Sequence, residues 1–186
     1  MKLHIKNMVC DRCKMVVKAE LEKLGFNPIA VELGEVTFLE PISANDKERI
    51  AERLNPMGFD LLEDKKMQLA EQIKTLIINL VHYNQDTLKV NLSAYLSNQL
   101  NAEYNHISSI FSEVESQTIE KYFIAQKIEK AKEMLSYGEL TLSQIAYQLN
   151  YSSVAHLSAQ FKKVTGATPS EYKASAKDQR KTLDKI

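Results

Sequence analysis

The stretch from Leu140 to Tyr172 leaves this chain little choice of local structure. Thr141-x-x-Gln144 and Thr168-Pro-Ser-Glu171 are capping boxes. In each, a hydroxyl and a side chain three residues on satisfy each other's backbone N–H donors at a helix start. Pro169 falls at a first helical position, where its missing N–H costs nothing. Leu142, Ile145, Ala146 and Leu149 recur at helical spacing, and so do Leu157 and Phe161. Asn150 lies between these runs, where a tight turn needs a left-handed residue and asparagine tolerates one. The segment predicts helices over 141–149, 153–165 and 169–177, the first two forming a helix-turn-helix unit.

The helical period extends upstream. Ile73, Leu76, Ile77 and Leu80 form an apolar stripe suited to a helix over 67–83. Further helices are expected over 92–100, 104–115 and 118–137, about seven in all. Leu96, Leu100, Ile107, Ile110 and Phe111, with Asn101 in a turn, frame a first, weakly similar helix-turn-helix unit. The tail 176–186 is polar and is expected to fray.

Residues 1–63 read differently. Leu3 and Ile5 alternate with polar neighbours, as in a half-buried strand. Val17, Leu21 and Leu24 mark a helix stopped by Gly25 and Pro28. Residues 29–33 and 35–39 are β-rich and meet at Gly34, a hairpin signal. A second helix over 44–54 carries Ile50 and Leu54, Asn55-Pro-Met-Gly58 breaks it, and 59–62 is a last short strand. The order β-α-β-β-α-β is the ferredoxin-like motif. The expected architecture is an α+β ferredoxin-like domain over 1–63, a charged junction at Glu63-Asp-Lys-Lys66, an all-α domain over 67–175, and a tail.

Composition narrows the function classes. The 186 residues carry 44% hydrophobic and 26% charged side chains and no net charge. That is ordinary for a folded chain and argues against one that coats nucleic acid non-specifically. Five glycines leave little room for a phosphate-cradling loop, and neither paired carboxylates at a motif spacing nor a nucleophile elbow occurs. An enzyme is not expected. No apolar run approaches a membrane span of about 20 residues, and residues 1–8 lack the apolar stretch of a secretory signal. A cytoplasmic, reducing location is expected.

Ile145-Ala146, Asn150-Tyr-Ser-Ser153, Leu157, Phe161-Lys-Lys163, Gly166 and Pro169-Ser-Glu-Tyr172 resemble the DNA-binding domain of the AraC/XylS family of bacterial transcription regulators. The resemblance covers roughly 67–173. It implies that the second unit lays its second helix in the major groove. Val154, His156, Ser158 and Ala159 would face base edges, and Lys162 and Lys163 would meet phosphates. In the first unit it places Asn105, Ser108 and Ser109 toward the groove. The family usually has a basic residue at Ser112 and a glycine at Ser116. Glu113 and Glu115 oppose phosphate, and neither recognition helix holds an arginine for a bidentate guanine contact. Modest affinity, or contacts made mostly by one unit, is expected.

Met8-Val-Cys-Asp-Arg-Cys13 sits between the first strand and the first helix. Two thiols at i and i+3 can face one ion. The helix dipole near Cys13 should lower its thiolate pKa. Two soft donors suit Cu(I), whereas Zn(II) wants two more. Met15 is expected at the core or its boundary, and His4 on the solvent face. Residues 2–62 resemble the heavy-metal-associated domain of copper chaperones and copper ATPases, through Met8, Cys10, Cys13, Val17, Leu21, Gly34, Val36 and Gly58-Phe59. The resemblance implies Cys10 and Cys13 as metal ligands, Met8 as a buried support and Phe59 as a cover. Asn7 stands where that family usually has glycine, and Val9 where it has threonine.

The resulting expectation is a bacterial transcription regulator that binds double-stranded promoter DNA and responds to Cu(I) or another soft metal through the CxxC loop. Pairing of two chains into a homodimer is left open, and no membrane partner is expected. The alternatives are a thiol-redox regulator, or a metal carrier or scaffold whose helical half binds protein.

Overall fold

The structure, a computed structural model, describes residues 1–83, 91–175 and 182–185. It begins with β1 (Lys2–Ile5), α1 (Asp11–Lys23), β2 (Ala30–Glu32), β3 (Glu35–Thr37), α2 (Ala44–Leu54) and β4 (Leu61–Leu62). The strands form one antiparallel sheet in the order β2-β3-β1-β4. Leu3 lies opposite Val36, and Ile5 opposite Leu61. This register keeps Leu3, Ile5 and Val36 on one face, as the period of two requires. With Val17, Leu21, Ile50 and Leu54 they build an apolar core.

Two boundaries differ from expectation for local reasons. β4 is two residues long instead of four. After α2 the chain makes a 3-10 turn over Asn55–Met57, and Gly58 adopts φ +85°. The Phe59 N–H then donates to the Leu54 carbonyl, closing the helix end before strand pairing resumes. Gly34 takes φ +76° in the β2–β3 turn, and a Cβ there would stand 3.0 Å from Thr75 Oγ1. Any side chain at that position would be strained as well as crowded.

Seven α-helices follow among the described residues: α3 (Lys65–Ile78), α4 (Leu92–Leu100), α5 (Tyr104–Glu115), α6 (Ile119–Tyr137), α7 (Leu142–Gln148), α8 (Val154–Thr165) and α9 (Pro169–Ala174). α3 starts where Asp64 Oδ1 accepts from the N–H groups of Lys66 and Met67. It does not run unbroken to Tyr83. Asn79–Tyr83 widens into a π turn, within which His82 Nε2 lies 2.9 Å from Gln126 Oε1. Both expected capping boxes are present, at Thr141/Gln144 and Thr168/Glu171. The expectation for the tail falls mostly outside the described residues, of which Leu183–Lys185 forms a 3-10 turn.

The chain makes two compact units. One comprises Met1–Leu76 with Ser109–Ser116, and the other Ile77–Ser108 with Gln117–Ile186. The second has its own core of Ile128, Ala131, Leu135, Ile145, Ala146, Leu149, Leu157, Phe161 and Tyr172. No helix among the described residues is long and apolar enough to cross a membrane.

Candidate nucleic-acid interface and thiol loop

The α7–α8 turn is built as its residues dictate. Asn150 takes φ +54°, the left-handed conformation that reverses the chain in a single residue. The Tyr151 N–H donates to the Ala146 carbonyl at 2.9 Å. Ser153 then caps α8, its hydroxyl accepting from the His156 N–H at 3.0 Å. Leu157 and Phe161 are buried, so the opposite face is turned to solvent. That face carries Ala155, His156, Ala159, Lys162 and Lys163, all exposed. The imidazole of His156 is held in place, with Nδ1 3.1 Å from Ser152 Oγ and its ring edge-on to Tyr151 at 5.1 Å. Ser158 is half-buried at the margin of the face. Val154 is half-buried as well. It packs against the helical core, which it meets because it lies one turn before the buried Leu157 and Phe161. α8 ends at Gly166, φ +83°. Lys162 and Lys163 in its last turn suit the helix dipole as well as a phosphate.

In the first unit Asn101 takes φ +49° between α4 and α5. Ile107 and Phe111 are buried; Asn105 and Ser109 are exposed, and Ser108 is half-buried. The carboxylates that looked unfavourable near phosphate have partners. Lys66 Nζ stands 2.6 Å from Glu113, and Lys74 Nζ stands 3.6 Å from Glu115. Their charge is thus met within the chain. Ser116 follows α5 at φ +54°, where the resembling family has glycine.

The thiols lie at the start of α1. Cys10 is its N-cap, with extended backbone, and Cys13 is in the first turn. Their sulfurs are 3.3 Å apart as free thiols. The Cys13 thiol is pushed up, chiefly by burial, and hydrogen bonding at Val9 only partly offsets this. The direction is opposite to the lowering expected at a helix start, because desolvation penalises the thiolate. Met8 is fully buried, and Phe59 joins it in the core against which Cys13 packs. Met15, by contrast, is 70% exposed on α1 rather than at the core boundary. His4 is half-buried, and burial lowers its pKa. Asn7 holds the loop at φ +69°, its Nδ2 donating to the Gly58 carbonyl at 2.8 Å. Among the described residues no group of three or more Cys, His, Asp or Glu could hold a metal, so this is a two-donor arrangement.

Residues 96–175 match the helix-turn-helix domain family. The helical part of this chain is thus similar to that domain over residues 96–175. A solved structure, the C-terminal domain of the response regulator AraT from Geobacillus stearothermophilus, matches with a TM-score of 0.52 at 21% identity, over 64% of this chain and 94% of that one. A transcriptional regulator from Chromobacterium violaceum, described as of AraC-type DNA-binding domain-containing proteins, matches with a TM-score of 0.50 at 16% identity, over 59% and 96%. The helical part thus shares the fold of these two domains. An uncharacterised HTH-type transcriptional regulator of Staphylococcus aureus is 29% identical over 113 residues, 61% of this chain. The chain spans only 14% of that relative's length.

Two features of the helix-turn-helix domain escape a reading of the sequence. Lys127, on α6, places Nζ 4.0 Å from the Tyr151 ring centroid and 5.3 Å from that of Phe123. Burial brings its amine down to about 8. Ser152 orients His156. Ser152 has a sequence signal in its adjacency to the Asn150 turn, whereas Lys127 has none, since periodicity does not say which side chains meet across helices.

Proposed function

We propose that the chain is a sequence-specific DNA-binding transcription regulator whose N-terminal unit responds to Cu(I) or another soft metal through Cys10 and Cys13. The observation that carries the DNA reading is the exposed face of α8, positioned by the Asn150 turn within a helix-turn-helix domain. A helix so presented fits the major groove. His156, Ser158 and Ala159 reach toward bases in this reading, with Asn105, Ser108 and Ser109 their counterparts in the first unit. Lys162 and Lys163 meet phosphate. The Staphylococcus relative named as a transcriptional regulator supports the same conclusion.

The metal reading rests on the chemistry of the donors. Two thiols with no third ligand among the described residues suit Cu(I), which accepts low coordination, better than Zn(II). The β2-β3-β1-β4 order and the buried Met8 and Phe59 favour a ferredoxin-like, heavy-metal-associated frame. Cys10 and Cys13 would hold the ion, and a soft cation seated between two thiolates would need their sulfurs farther apart than a contact between free thiols. The thiols at 3.3 Å must therefore open to take an ion between them. The same short separation favours one alternative, a thiol-redox response, since a disulfide needs about 2.05 Å.

Selection of fragments from total genomic DNA by the reduced full chain, with and without one equivalent of Cu(I), tests both parts. A shared sequence should be enriched, and Cu(I) should alter the enrichment. In the Cys10→Ser/Cys13→Ser variant the sequence should persist and the Cu(I) effect should vanish. No enrichment in either state would overturn the DNA reading. A Cu(I) effect that survives in the variant would remove the thiol loop as sensor.

A further inference from the structure

Three ionic side chains in the N-terminal unit are tied together without serving its apolar core. Glu71 and Lys74, on α3, are only 5% and 7% exposed. One oxygen of Glu71 accepts from the Asn7 N–H at 3.0 Å, and the other lies 3.3 Å from Lys74 Nζ. The Lys74 ammonium in turn stands 3.6 Å from Glu115, near the end of α5. Buried ion networks seldom stabilise a fold more than apolar packing would, and their best-attested uses are register and switching. Here the network joins the loop that carries the thiols to the helix that ends the first helix-turn-helix unit.

We infer that Glu71, Lys74 and Glu115 act as a positioning relay, passing a change at Cys10 and Cys13 to residues Ser109–Ser116, the end of α5 and the residue after it. The inference rests on the sensor reading above but not on the metal's identity. Opening the thiols displaces the loop, and Asn7 is its anchor, three residues before Cys10 and held in a left-handed conformation. Loss of the Asn7 N–H leaves one carboxylate oxygen of Glu71 without its donor. Glu71 then reorients, and Lys74 must redistribute between two carboxylates. α3 itself is held close to the β2–β3 turn at Gly34 and Thr75, so the response falls on side chains rather than on the helix as a body.

Amide hydrogen exchange of residues 109–116 in the full chain tests this. Two perturbations are applied, one equivalent of Cu(I) and, separately, diamide, which accepts the two electrons and two protons released as the Cys10–Cys13 disulfide forms. Either should change exchange in 109–116 about fivefold or more, the lower end of ordinary coupling between sites. The Glu71→Gln/Lys74→Met/Glu115→Gln variant leaves no charge of the triad unpaired, and its amide in place of the Glu71 carboxylate keeps an acceptor for the Asn7 N–H. It should respond less than about twofold while Cu(I) affinity, read against a chromophoric chelator, is retained. A full response in that variant overturns the relay. So does a wild-type chain in which neither perturbation alters 109–116. Should the triple variant fail to fold, Glu115→Gln alone decides by the same criterion. A response to the disulfide in a chain that does not bind Cu(I) supports the relay and rejects the metal reading.

Discussion

Lys127 shows how one side chain can serve the turn it stands beside. The faces of Tyr151 and Phe123 attract its ammonium, and burial opposes the charge. Burial prevails, holding the amine at about 8, against about 10.4 in an unfolded chain. Between those values the unfolded chain carries a proton that the folded chain lacks, so this group's contribution makes stability rise with pH. Lys127→Met removes that contribution. Urea unfolding from about pH 7.5 to about pH 10 should show the wild type gaining stability relative to the variant. Parallel curves would mean that the amine is not desolvated. The neighbouring backbone was easier to read. Asn101 and Asn150 stand in left-handed turns as their chemistry suggests. Asn7 and Ser116 do so too, but only comparison with families that place glycine there pointed to them.

Helices were legible where their ends carry side-chain signals. Thr168 accepts from the Glu171 N–H at 3.3 Å, and Glu171 Oε2 accepts from the Thr168 N–H at 2.7 Å. That box starts α9, which supplies Tyr172 to the core edge-on to Phe161 at 5.5 Å. Thr168→Ala should lower unfolding free energy by about 1 kcal/mol, read as a lower urea midpoint with an unchanged slope. An unchanged midpoint would show that Pro169 and the packing of Tyr172 suffice to start the helix. Elements whose limits depend on partners elsewhere were less legible. The π turn at Asn79–Tyr83 and the shortened β4 involve groups far from the residues concerned or the closure of the preceding helix. Val154 is half-buried against the helical core, a contact that a helical wheel drawn from two buried positions leaves undetermined.

The division of the full chain could not be read from composition. The charged run Glu63-Asp-Lys-Lys66 looks like a linker, yet Lys66 pairs with Glu113 across 47 residues of sequence. Sequence shows that Glu113 and Glu115 are charged but not that Lys66 and Lys74 meet them, which is why Ser109–Ser116 belongs with the N-terminal residues. The thiol pair and the exposed face of α8 were legible, because each is set by spacing within one short segment. The relay proposed from the thiol loop to residues 109–116, if it carries metal occupancy toward DNA, also works in the opposite direction. Whatever factor Cu(I) applies to DNA affinity, DNA applies to Cu(I) affinity. Cu(I) titrations with and without a saturating duplex of the selected sequence should give dissociation constants that differ by that factor, and equal constants alongside a Cu(I)-dependent DNA affinity would show the two sets of measurements to be inconsistent with a single linked equilibrium. On the proposed reading, a relay of this kind would make the promoter a participant in setting its own threshold: a copy seated on DNA would answer at a different metal level from a copy free in solution.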